Sequence, residues 1–176
     1  ELTQSKELIT LSFDDSIEEK RYTDESELHC WHFDHTFGKS VRGVNFLTAL
    51  IEVGTMRLPC AVEFVKKDLW KKDPKTGKEK RKSSVSKNEL FRKMLRECNG
   101  KFRFDYVLAD SWYSSNENMN CCKKELNNDF IMALKSNRKV ALSLENKQNK
   151  EYISIETLQL GQQTVEVWFE ELDFPL

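Results

Sequence analysis

A chain of 176 residues is long enough for one domain with a sizeable core, and its 39% hydrophobic and 32% charged residues exclude a disordered chain. No apolar run approaches the roughly 20 residues that cross a bilayer as a helix. The formal net charge of −1 excludes a uniformly basic nucleic-acid binder, but not a locally basic one.

Residues 8–15, LITLSFDD, alternate as a strand does. Ile9, Leu11, Phe13 and Asp15 fall on one face, and Leu8, Thr10, Ser12 and Asp14 on the other. ELHCWHFDHT at 27–36 reads as a second strand. VNFLTALIEV at 44–53 and LPCAVEFV at 58–65 read as a third and fourth, joined by a turn at Gly54 into a hairpin. Together they predict an antiparallel meander. Residues 66–87, KKDLWKKDPKTGKEKRKSSVSK, are rich in lysine and opposed only by Asp68, Asp73 and Glu79. With Pro74 and Gly77 inside it, this stretch reads as a basic, mobile loop.

Ser86-x-x-Glu89 is a capping box that opens a helix with Leu90, Met94, Leu95 and Cys98 on one face, ended by Asn99-Gly100. FRFDYVLAD at 102–110 follows as a strand, with Phe104, Tyr106, Leu108 and Asp110 expected on one face. Ser114-x-x-Glu117 predicts a second helix that turns Met119, Cys122 and Leu126 inward, and FIMALK at 130–135 the next strand. KVALSL, EYISIETLQL and TVEVWFEEL, from 139 onward, look strand-like. Strands linked by helices imply parallel pairing added to the meander, hence an α/β fold with a mixed sheet and flanking helices.

Asp15 and Asp110 each prolong the apolar face expected of their strand, and an isolated buried carboxylate is costly unless it is paired or bound to metal. Ligand chemistry gathers at the carboxyl ends of strands in such sheets. Two converging oxygen ligands suit Mg²⁺ or Mn²⁺, and metals so held activate a water and stabilise a leaving oxygen in phosphodiester chemistry. The plainer reading makes Asp15 and Asp110 caps of a turn and of a helix. In the same register Asp14 points to the other face and supports the turn.

HCWHFDH at 29–35 offers three histidines, but His29 and His35 face away from His32 on a strand, and no C-x-x-C supports a zinc site. Five cysteines, an odd number, with no signal peptide point to a reduced intracellular protein; Cys121 and Cys122 read as packing residues. Trp112 and Tyr113 follow Asp110 closely and would line the path of a ligand there, although core packing is the default for aromatics. The chain opens on ELTQSKE without Met and stops at DFPL, which predicts part of a longer protein.

FDDS, CWHFDHTFGKSVRGVN, the basic stretch, KNELFRKM, FDYVLADSWYSS and IMALKSNRKVAL together resemble bacterial insertion-sequence DDE transposases, and more narrowly the group with a Y-x2-R-x3-E motif. The resemblance runs over nearly the whole chain. It implies a ribonuclease-H-like core over 1–138, followed at 139–176 by the start of a β-rich insertion. It also implies metal-dependent cleavage and transfer of DNA strands at transposon ends, with Mg²⁺ or Mn²⁺ as cofactor. The first family Asp precedes a small hydroxyl residue, here Ser16, so that role falls on Asp15, and the second on Asp110. No Y-x2-R-x3-E follows Asp110, so the third carboxylate is expected to be missing and this piece inactive. DNA, both transposon ends and target, is the implied partner, met by Lys71, Lys72, Lys80, Arg81, Lys82, Lys135 and Arg138. A homodimer in the full-length protein, no membrane and a cytoplasmic, nucleoid-associated location are implied with it. The alternatives are a nuclease of the same fold, a non-catalytic DNA-binding remnant of a decayed element, and a globular domain whose aspartates are only caps.

Overall fold

The alternation in LITLSFDD generates the strand on which the sheet is built. In the computed structural model, which describes residues 7–158, 161 and 163–176, this strand is β1 (Ile9–Glu19). It does not end at Asp15, as expected, but continues four residues further. The cause is its partner: β3 (Lys39–Val53) is long enough to pair antiparallel with all of it, from Ile9 opposite Val53 to Glu19 opposite Gly43. The two strands approach so closely at that end that a Cβ on Gly43 would collide with the Glu18 carbonyl. The other edge of β3 is shared by β2 (His29–Asp34) and β4 (Met56–Phe64), both antiparallel. The β3–β4 turn needs a left-handed residue and has Gly54 there, at φ +58°.

The helix-linked strands pair parallel, as expected. β7 (Tyr106–Ala109) lies beside β1, and β8 (Asp129–Met132) beside β7, completing a mixed six-stranded sheet. α1 (Lys87–Asn99) starts from the predicted capping box, with Ser86 Oγ accepting from the Glu89 amide and Glu89 Oε2 from the Ser86 amide. It lays Leu90, Phe91, Met94, Leu95 and Cys98 over Leu11, Phe13, Leu47, Ala49 and Val107. Phe91 sits at the centre, its ring 4.5 Å from that of Phe13 and 5.3 Å from that of Tyr113.

Several expectations change. On β7 the residue enclosed by the core is Val107, and Tyr106 and Leu108 are half-buried on the opposite face. Apolar residues occupy both phases of this strand, so alternation could not decide, and the register with β1 does: Leu11 pairs with Val107 and Phe13 with Ala109. The second helix, α2 (Asn116–Asn120), is capped by Ser115, because Ser114 Oγ donates to the Ser111 carbonyl instead. It runs on into a single π turn at Cys121–Glu125 that buries both Cys121 and Cys122. The basic stretch is not a mobile loop. It folds into a hairpin of β5 (Leu69–Lys72) and β6 (Glu79–Lys82), its turn held by Asp73 Oδ1 accepting from the amides of Lys75 and Thr76.

Beyond residue 138 the strand-like pieces contract to β9 (Lys139–Val140) and β10 (Ile153–Ser154), with LSLEN forming part of a short helix, α3 (Leu144–Gln148). Part of the TLQL expectation lies outside the described residues. Val140, Val167, Phe169, Leu172 and Phe174 gather round Met119 as a second apolar cluster, which Phe130 and Met132 join to the first. No helix among the described residues is long and apolar enough to cross a membrane.

His32, on β2, is only 4% exposed and lies 3.4 Å from the Cys30 thiol. Burial, aided by the positive charges of Lys67 and Lys87, depresses its pKa to about 4. The unfolded chain therefore binds an extra proton between about pH 4 and the ordinary histidine range, so stability should rise with pH through that window. We predict that unfolding by urea costs about 2 kcal/mol less at pH 5 than at pH 7 through this group. His32→Asn should flatten that interval, and an unchanged pH dependence in the variant would refute the assignment.

Candidate active-site cleft

Where β1 and β7 run side by side, their register brings three carboxylates to one end of the sheet. Ser12 pairs with Leu108 and Phe13 with Ala109, so the next pairs along would be Asp14 with Asp110 and Asp15 with Ser111. A cleft of about 740 Å³ opens there, lined by Asp14, Asp15 and Asp110, by Asp34 from the end of β2, and by Lys87, Lys135 and Trp112. Asp15 and Asp110 thus meet at one cleft. Asp15 continues the core face, whereas Asp110 shares the phase of Asp14. Asp14 does not support a turn, since β1 runs straight through it.

Asp15 is the most constrained of the three. Tyr113, entirely buried, donates its hydroxyl to Oδ1 at 3.0 Å. Oδ2 accepts from the Lys87 ammonium and, at 3.4 Å, from the Asn45 side-chain amide. Those three donors come from the loop after β7, the first residue of α1 and the middle of β3. Burial and the Asp15 carboxylate hold the Tyr113 hydroxyl far above its ordinary pKa, so it stays a donor. Asn45 Oδ1 is buried without a partner among the described residues.

Asp14 and Asp110 are more open. Asp14 Oδ1 accepts from the Asp15 amide at 2.9 Å, and Asp110 Oδ1 from the Trp112 amide at 2.9 Å. Burial first, then the charges of Asp15 and Asp110, raise the Asp14 pKa. Trp112 carries Lys135 and Lys87 over its ring, at 5.3 and 5.9 Å from the centroid. His35 lies 5.6 Å from it.

Carboxylate oxygens are the right chemistry for Mg²⁺ or Mn²⁺. Their present arrangement is not: among the described residues no three His, Cys, Asp or Glu side chains stand close enough to hold a metal ion, and both Asp15 oxygens are already engaged. The histidines are occupied elsewhere. The His29 ring nitrogens meet the carbonyls of Asp24 and Lys20, and His32 is packed against Cys30.

The basic residues divide into two groups. Lys71, Lys72 and Lys82 are exposed on the hairpin and, among the described residues, carry no ion pair. Lys80 is paired with Asp73 at 2.7 Å. Arg81 stacks 4.4 Å over the Trp70 ring and pairs with Glu25 at 3.1 Å, which ties the hairpin to the loop before β2. Arg138 lies under Phe169 at 4.0 Å and donates to the Ser114 carbonyl and the Asn116 side chain, so it braces α2. Lys135 stands in the cleft wall, over Trp112. The sequence did not reveal Lys87 as a site residue. Its signal was position: it directly follows the Ser86 cap, and so begins the helix whose start faces the cleft.

A family model described as DDE superfamily endonuclease matches residues 1–152. No curated protein and no solved structure matches the chain.

Tyr113→Phe keeps the ring and removes only the donor to Asp15. It should lower stability to urea by about 1.5–3 kcal/mol, the range for a hydrogen bond to a charged group. Combined with Asp15→Ala, which removes the acceptor, the two changes should be strongly non-additive; simple additivity would mean that the bond contributes nothing.

Proposed function

Since the chain belongs to the DDE superfamily endonuclease family, whose enzymes are of nuclease and transposase type, we propose that it is the central part of a transposase catalytic core acting on DNA at transposon ends. The observation that supports this most is the parallel β1–β7 pair, which carries Asp15 and Asp110 to one cleft, the place where a mixed α/β sheet normally keeps its chemistry. Asp15 and Asp110 are the proposed catalytic carboxylates. The reading includes a division near residue 138 between a ribonuclease-H-like core and a β-rich insertion, membership of the Y-x2-R-x3-E group, and a homodimer in the intact protein.

In this reading a DNA strand lies along the cleft, its phosphates met by Lys135 and its continuation by the exposed lysines of the β5–β6 hairpin. Arg81 and Arg138 contribute by fixing the hairpin and α2 rather than by touching phosphate. With only two carboxylates in the family's positions, and with Asp15 engaged by Lys87, these 176 residues bind DNA without cutting it. The Lys87–Asp15 pair also favours the second reading, a DNA-binding remnant whose chemistry is lost.

Both readings require salt-dependent DNA binding. Replacing Lys71, Lys72 and Lys82 together by Ala should weaken binding of any duplex sequence and reduce the slope of log affinity against log salt by about 2–3, roughly 0.9 for each phosphate no longer neutralised. An unchanged slope would remove the hairpin from the interface. Incubation of transposon-end DNA with the chain and Mg²⁺ or Mn²⁺ should give no nicking. Nicking that disappears in Asp110→Ala would instead show an active enzyme.

A further inference from the structure

β3 and β4 do not pair evenly. Ala49 faces Ala61, but the next residue, Leu50, faces Pro59, so Cys60 is an extra residue between them. This is a β-bulge, and Pro59 suits it because a proline has no amide to offer the ladder. A bulge re-aims a side chain. In an even register Cys60 would stand opposite Leu50, on the face of β3 turned away from α1. Instead it is half-buried against the core, its Sγ 3.3 Å from the Ala49 carbonyl and 3.9 Å from the Sγ of Cys98. Cys98 comes from the last turn of α1 and is 2% exposed. Burial first, then Cys60 beside it, push the Cys98 thiol up to about 12. The other cysteines have other neighbours: Cys30 lies against His32, and Cys121 donates to the Glu125 carboxylate within the π turn that also buries Cys122.

We propose that Cys60 and Cys98 are a peroxide-oxidisable pair, which closes in the folded chain to a disulfide that clamps the end of α1 to β4. Cys60, the half-buried member, meets the oxidant first. Its sulfur attacks one oxygen of hydrogen peroxide, the O–O bond breaks, and Cys60 becomes a sulfenic acid as water leaves. Cys98 Sγ then attacks Cys60 Sγ. The S–S bond forms, the S–O bond breaks, and the hydroxyl leaves with the Cys98 proton as a second water. The pair is thus oxidised by two electrons, and one peroxide is reduced to two waters. The starting geometry favours closure over a lone modification. The sulfurs already touch, and an approach of about 2 Å brings them to a disulfide bond length. The loop closed in this way, residues 60–98, carries the whole β5–β6 hairpin and the start of α1. The clamp lies at the opposite end of α1 from Lys87, so it fixes the base of the hairpin without using any acid of the cleft. It stands apart from the reading of that cleft.

The test treats the whole folded chain with hydrogen peroxide, caps the remaining thiols in denaturant and maps the peptides by mass spectrometry. A linked peptide joining Cys60 to Cys98 is expected, with Cys30, Cys121 and Cys122 recovered as capped thiols. Dithiothreitol should reverse the link. The oxidised chain should melt about 5–15 °C above the reduced one, because a closed loop restricts the unfolded chain. Cys98→Ala removes the second sulfur and should leave Cys60 as a sulfenic acid that dimedone traps. Cys60→Ser should leave Cys98 as a capped thiol. The linked peptide is read in the parent chain, so it decides the matter should Cys98→Ala fail to fold, as judged by circular dichroism. Recovery of Cys60 and Cys98 as capped thiols, a link through any other cysteine, or a link between two chains overturns the proposal. So does a melting temperature that does not rise, or a folded Cys98→Ala that yields no dimedone adduct at Cys60.

Discussion

One carboxylate organises the end of the sheet. Asp15 receives hydrogen bonds from the loop after β7, from the start of α1 and from the middle of β3, so three parts of the chain far apart in sequence are fixed relative to one another by a single side chain. The most deeply buried of these anchors is Tyr113, whose ring stacks on Phe91 as Phe91 packs on Phe13. The position of the acid is therefore set by core packing. A charged group reached in this way is held rigidly, and its neighbours in the cleft, Asp14 and Asp110, face a fixed rather than an adjustable partner. Rigid carboxylates at a strand end favour a ligand of one size and charge over a family of ligands.

The same economy governs the basic residues. A long run of lysines invites the view that all of them meet the same polyanion. The fold uses some of them internally: Arg81 joins the hairpin to the loop before β2, Lys80 closes its turn with Asp73, and Arg138 braces α2 beneath Phe169. What remains exposed is a smaller set on one hairpin, together with Lys135 at the cleft. Positive charge here serves shape first and attraction second.

Much of this was legible in the sequence, for identifiable reasons. The β1, β3 and β4 alternation, the Ser86–Glu89 box and the Gly54 turn are local signals, and local physics decided them. Asp15 and Asp110 could be paired because each closes an apolar stretch. The faces of β7 could not be read, because Val107 and Ala109 are as apolar as Tyr106 and Leu108, and only pairing with β1 distinguishes them. The hairpin within residues 66–87 was hidden because lysines mask a short strand, while the Trp70–Arg81 pair that holds it spans the turn. The roles of Lys87 and Tyr113 depend on hydrogen bonds to a residue 72 and 98 positions away in sequence, beyond the reach of any window.

Gly43 gives the sheet a point of intolerance with no chemistry attached. The backbone of β1 passes so near that even a methyl group has no room. A survey of random variants scored only for loss of function would place position 43 beside the acids of the cleft, although it has no reactive group to offer. Sensitivity to substitution therefore does not by itself map a catalytic centre on this fold. It maps the acids and the tight crossing of β1 and β3 alike, and a side chain that can carry a reaction is what tells them apart.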